Sequence, residues 1–139
     1  MSKYFKLEEF LTSSTARQKS IENLPSFDVV ENINVLAEFL DGIREGWGSG
    51  IRISSGFRNK KLNDAVGGVS ASLHLKGWAA DLQPINGKME EFKKFIVNYL
   101  KDKDFDECIL ERNKTTEWVH LQLYGNHGDQ RKKVFSLKV

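Results

Sequence analysis

Phe105-Asp106-Glu107-Cys108-Ile109-Leu110-Glu111 and Trp118-Val119-His120-Leu121-Gln122-Leu123-Tyr124 are strand-like runs joined by the polar link Arg112-Asn113-Lys114-Thr115-Thr116. Runs rich in β-branched and aromatic residues around so short a link predict an antiparallel hairpin. Val119, Leu121 and Leu123 fall on one face of the second strand, and Trp118, His120 and Gln122 on the other. One face is thus apolar, and the other carries an imidazole that needs a partner.

Upstream of the hairpin, Asp102-Lys103-Asp104 reads as a solvated link, and Met89, Phe92, Ile96 and Tyr99 recur at helical spacing, ending near Leu100. Trp78 to Leu82 reads as a strand closed by Pro84 and Gly87, with Ala79 and Asp81 on one face and Ala80 and Leu82 on the other. Lys60 to Val66 suits a short helix, followed by a Gly67-Gly68 turn. Ile51-Arg52-Ile53-Ser54 alternates as a strand until Ser55-Gly56-Phe57-Arg58 breaks it, which sets Arg58 at a strand end. Before it, Ser26 caps a long helix whose Val29, Ile33, Leu36, Leu40 and Ile43 form one apolar stripe, ended by Gly46, Gly48 and Gly50. Leu7, Phe10 and Leu11 make a short N-terminal helix that serves as lid or brace, and Thr12-Ser13-Ser14-Thr15 stops it and caps a further turn. Val134 to Leu137 adds an edge strand. Helices and antiparallel strands without a repeating βαβ rhythm predict an α+β fold, a small antiparallel sheet packed with helices, in a single domain over 1–139.

Composition narrows the function. The 139 residues, 40% hydrophobic and 11% aromatic, suffice for a core without disulfide or metal staples. With 21 basic against 19 acidic side chains the net charge is +2 and no basic block stands out, so neither nucleic acid nor a membrane surface is an expected partner. A small or locally charged substrate and a monomer are expected instead. Cys108 is the one cysteine, which rules out an internal disulfide and a Cys-rich metal site; beside Ile109 and Leu110 it reads as a buried, inert thiol. The start, Met1 to Lys6, has no apolar core of a signal peptide, and no run approaches the roughly 18 apolar residues of a membrane span, so cytoplasmic synthesis is expected.

Chemistry concentrates in Ser72-Leu73-His74-Leu75-Lys76-Gly77-Trp78-Ala79-Ala80-Asp81 and in Glu117-Trp118-Val119-His120. His74, Asp81 and His120 would give a zinc ion three protein ligands of the kinds it prefers and leave a position for water, the arrangement of catalytic rather than structural zinc. Singly, each residue also reads as an ordinary hydrogen-bonded group. Glu117 is either a site carboxylate in the bend before the strand or a solvated loop residue. Arg58 is either a ligand-facing guanidinium or a surface ion-pair partner. His127, in Gly125-Asn126-His127-Gly128, either reaches a ligand or stands in solvent.

At these residues the sequence resembles the zinc D-alanyl-D-alanine peptidases, peptidase family M15, especially their small phage-type branch, which shares its fold with the Hedgehog signalling domain. The resemblance runs from Phe5-Lys6-Leu7-Glu8-Glu9-Phe10 through Ser54-Ser55-Gly56-Phe57-Arg58 and Leu62-Asn63-Asp64-Ala65-Val66-Gly67-Gly68 to the two stretches above. It implies one zinc ion per chain on His74, Asp81 and His120, Glu117 as general base, Arg58 on substrate or oxyanion, and Ser72 supporting the first ligand. Leu73 departs from a frequent Gln, and Gln122 from frequent small polar residues. The implied substrate is a peptidoglycan stem peptide, cut as by a D-Ala-D-Ala carboxypeptidase or an L-Ala-D-Glu endopeptidase, with action on the cell wall after release, as in phage or prophage enzymes. A zinc-containing binding module without turnover, and a metal-free wall-interaction protein, are the alternatives.

Overall fold

The computed structural model describes residues 2–139. They form an α+β fold around a five-stranded sheet of order β1-β2-β4-β3-β5, with β1 Ile51–Ser55, β2 Ala79–Pro84, β3 Glu107–Arg112, β4 Glu117–Gln122 and β5 Lys133–Lys138. The β3–β4 hairpin pairs antiparallel from Arg112↔Glu117 to Glu107↔Gln122. Its turn is held by Asn113, whose Oδ1 accepts the backbone N–H groups of Thr115 (2.9 Å) and Thr116 (2.8 Å). A side-chain amide oxygen thus does the work of a backbone turn.

The sheet is mixed, not antiparallel throughout as expected. β4 returns the chain to the start of β3, so a strand that resumes there at Lys133 must run alongside β3 in the same direction, and β5 pairs with it parallel from Glu107↔Lys133 to Arg112↔Lys138. The other pairs, β1–β2, β2–β4 and β3–β4, are antiparallel.

Helix α3 (Phe27–Trp47) starts at Ser26, whose Oγ accepts Val29 N–H, and ends on Gly48, which takes φ +76°. Its stripe Ile33, Leu36, Ala37, Leu40 and Ile43 is buried. These side chains meet Phe92 and Ile96 of α5 (Met89–Tyr99) and Ala80, Leu82, Val119 and Leu121 of the central strands in one core. Fully burying each large aliphatic or aromatic side chain contributes about 1.5–3 kcal/mol. One face of β2 and β4 is therefore committed to the core. The opposite face carries Asp81 and His120.

Short helices brace the loop after β1. Phe10 of α1 (Leu7–Leu11) is 1% exposed, and its carbonyl accepts Phe57 N–H at 2.7 Å, so α1 is a brace rather than a lid. Ser13 caps α2 (Ser14–Gln18), and Asn59 caps α4 (Lys60–Ala65). Cys108 is fully buried, and burial pushes its thiol up to about 12, which makes it unreactive. Among the described residues no helix is long and apolar enough to cross a membrane.

Candidate metal centre

His74 sits in a single 3₁₀ turn, Leu73–Lys76, whose geometry is fixed at several atoms. Ser72 Oγ accepts His74 N–H at 3.2 Å, and Arg58 N–H donates to the His74 carbonyl at 3.1 Å. Gly77 closes the turn at φ +75°, where a Cβ would lie 3.0 Å from the Val29 carbonyl oxygen and 2.9 Å from Ile33. Glycine is needed there both for the left-handed backbone and for the close approach to α3. Ser72 thus holds the backbone that presents His74.

The His74 ring is 2% exposed, and its Nδ1 lies 2.7 Å from the Gly56 carbonyl. A carbonyl only accepts, so Nδ1 carries the proton and Nε2 keeps its lone pair. Burial pushes this imidazole below its ordinary range and keeps it neutral. Nε2 faces Asp81 Oδ1 at 3.5 Å.

Strand pairing supplies the other donors. Asp81 on β2 lies directly across from His120 on β4, and His120 Nδ1 approaches Asp81 Oδ1 to 3.0 Å. The far side of the ring is anchored as well. Gln122 Nε2 donates to Asp106 Oδ2 at 2.6 Å, which turns Gln122 Oε1 toward His120 Nε2 as an acceptor, 3.1 Å away. Asp106, with no exposed surface, also accepts from Arg131 Nε and Nη2, both at 2.9 Å. At His120, burial lowers the pKa, but the hydrogen bonds and charge of Asp81, with Gln122 and Glu111, outweigh it and raise the imidazole above its ordinary range. Burial likewise opposes ionisation of Asp81, yet the two imidazoles hold its carboxyl well below the usual carboxylate range.

One donor atom each from His74, Asp81 and His120 lies within 4.8 Å of the others. Two imidazole nitrogens and one carboxylate oxygen, each imidazole fixed from behind by a carbonyl or an amide-carboxylate chain, fit a three-ligand zinc site. The fit is chemical as well as geometric, because a carboxylate between two imidazoles is a cluster that a divalent cation would satisfy.

A cleft of about 660 Å³ opens over the triad. Arg58 lines it, held by its neighbours. Buried Asn23 donates to the Phe57 carbonyl at 2.8 Å and accepts Asn59 N–H at 2.8 Å, clamping the chain on both sides of Arg58. Arg58 Nε is buried without a hydrogen-bond partner, as is the indole N–H of Trp118 in the same cleft. These are donors without acceptors in the wall of a cavity.

Glu117 and His127 are not part of this arrangement. The bend expected before the strand does not exist, since β4 already includes Glu117, paired with Arg112. Three steps along a strand from His120 reverse the face, and the Glu117 carboxylate accordingly meets Lys93 of α5 at 2.8 Å on the core side of the sheet. His127 is exposed, and its neighbour Asn126 lines the cleft instead. Sequence reading missed the Gly56 carbonyl, Asp106, Gln122 and Asn23. All act through hydrogen bonds between segments distant in the chain, and only Gln122, alternating with His120, left a local signal.

The family model described as Peptidase M15 matches residues 3–122 of the chain, a span that contains His74, Asp81 and His120 and ends at Gln122. Among curated proteins, none matches.

Proposed function

The chain belongs to the Peptidase M15 family, and on that premise we propose that it is a zinc-dependent peptidase that hydrolyses an amide bond in peptidoglycan stem peptides. The observation that carries the reading is the convergence of His74, Asp81 and His120 donor atoms within 4.8 Å beneath an open cleft. These residues would hold the zinc. Bound there, zinc supplies Lewis acidity toward a carbonyl oxygen and lowers the pKa of a water to about 7.

The protein's own groups supply the rest. Arg58, with its buried unpartnered Nε, is suited to hold a peptide carboxylate or the oxygen that gains charge as the carbonyl is attacked. The His74 turn and the Asp106–Gln122 chain keep the imidazoles in the tautomers that aim lone pairs at one point. The bond cut is of the D-Ala-D-Ala or the L-Ala-D-Glu type.

The test is digestion of purified peptidoglycan and of free stem peptides by the zinc-loaded protein, with fragments weighed by mass spectrometry. Loss of one terminal alanine identifies a carboxypeptidase, and an internal cut identifies an endopeptidase. A zinc-loaded protein that binds these peptides and leaves them intact would be a binding module instead.

A further inference from the structure

Resting on the zinc-peptidase reading, we propose that β5 selects substrates by length: Leu137 and Val139 receive an aliphatic side chain of the peptide about three residues from the bond that is cut. Strand register brings β5 into the site. Ile109 of β3 lies across from His120 on one side and from Phe135 on the other, and Glu111 likewise stands between Trp118 and Leu137. Cross-strand partners share a face, so Phe135 and Leu137 stand on the face that carries Asp81 and His120. Val139, two residues beyond Leu137, follows. Leu137 and Val139 line the cleft together with His74, Asp81, His120 and Arg58.

On this face β5 is apolar and yet left open. Ile109 is 8% exposed, whereas Phe135, Leu137 and Val139 are 39%, 43% and 63% exposed. Exposed apolar side chains gathered in the wall of a cleft mark a place where a ligand can bury an apolar group of its own. The family model matches residues 3–122, a span that takes in the three candidate ligands and stops short of β5. The strand therefore suits a choice among substrates rather than the chemistry that the family shares.

Geometry decides which part of the substrate it meets. The strand order β1-β2-β4-β3-β5 sets the two ligand-bearing strands between β5 and the loop after β1 that carries Arg58. Two strand spacings separate β5 from β4, roughly 10 Å, and an extended peptide advances about 3.4 Å per residue. A peptide lying across the strands with its scissile carbonyl at the triad thus reaches β5 after about three residues. A dipeptide at the triad ends before it. Because Leu137 and Val139 offer alkyl groups alone, the group they take is aliphatic, such as the methylene stem of a lysine.

The test compares the wild type with a Leu137→Ser, Val139→Ser double variant on two substrates: the stem pentapeptide L-Ala-γ-D-Glu-L-Lys-D-Ala-D-Ala and the dipeptide, D-Ala-D-Ala or L-Ala-D-Glu, that contains the bond the wild type cuts. The variant is expected to keep zinc content and melting temperature near wild type, to lose roughly tenfold in kcat/KM on the pentapeptide, and to match the wild type on the dipeptide. A second readout needs no turnover: in zinc-loaded protein with ¹³C-labelled methyl groups, the pentapeptide should shift the Leu137 and Val139 resonances and the dipeptide should leave them in place. Full activity of the variant on the pentapeptide, an equal loss on both substrates, or Leu137 and Val139 resonances indifferent to the pentapeptide would each overturn the assignment. Those results leave the peptidase reading standing if the wild type cleaves. A wild type that cleaves neither substrate defeats the peptidase reading, and the methyl resonances still decide whether β5 binds the peptide.

Discussion

His120 answers to two carboxylates, Asp81 at Nδ1 directly and Asp106 at Nε2 through Gln122. The second is the better hidden, because Asp106 is fully buried and is balanced by Arg131, which is 43% exposed. The Arg131 hydrogen bonds come first among the causes that hold the Asp106 carboxyl below its ordinary range; burial opposes them, and Gln122 adds to them. A depressed folded-state pKa contributes stability that is complete above the unfolded value, about 3.9, and is lost as pH falls through the folded one. Asp106→Asn sets an amide N–H₂ against donors and is expected to cost about 3 kcal/mol or more at pH 7. Urea unfolding at pH 7, 4 and 3 should show the gap to wild type shrinking below about pH 4; a gap constant with pH would show that the charge of Asp106 is not what stabilises. The residue types of His74, Asp81 and His120 were legible from the chain because their chemistry is local. How they are held was not: Glu117 and His120 differ by an odd step on a strand, and Asp106 reaches His120 only through Gln122, a connection that no single strand encodes.

Among the elements, the loop from Ser55 to Asn59 does the most for the site, since it brings the Gly56 carbonyl to His74 and sets Arg58 in the cleft. It is pinned by α1, with Phe57 N–H on the Phe10 carbonyl. A Cβ on Gly56 would stand 2.6 Å from the Phe10 backbone, so the loop would have to move. Gly56→Ala is therefore expected to destabilise the fold by about 1–3 kcal/mol. Because the same shift loosens the carbonyl that orients His74, zinc affinity should fall by roughly ten to a hundredfold. Competition with a chromophoric chelator measures the affinity, and unchanged affinity would mean that the Gly56 carbonyl does not orient the ring. Helices α3 and α5, and the hairpin, follow from apolar periodicity, because their stripes are what they bury. The parallel placement of β5 does not follow, since an exposed edge strand has no buried face to fix its partner.

At the scale of the molecule, the sheet separates two tasks. One face of β2 and β4 is spent on the core shared with α3 and α5, and the other presents Asp81 and His120 beside the turn that carries His74. Rigid strands hold two of the three candidate ligands, and a turn braced from both sides holds the third. The measurement that tests this account most directly is zinc bound per chain, by elemental mass spectrometry on dialysed protein, for the wild type and for His74→Ala and His120→Ala. About one zinc per wild-type chain and none held tightly by either variant is the expected result. A folded wild type that takes up no zinc, or variants that hold as much as the wild type, would contradict it.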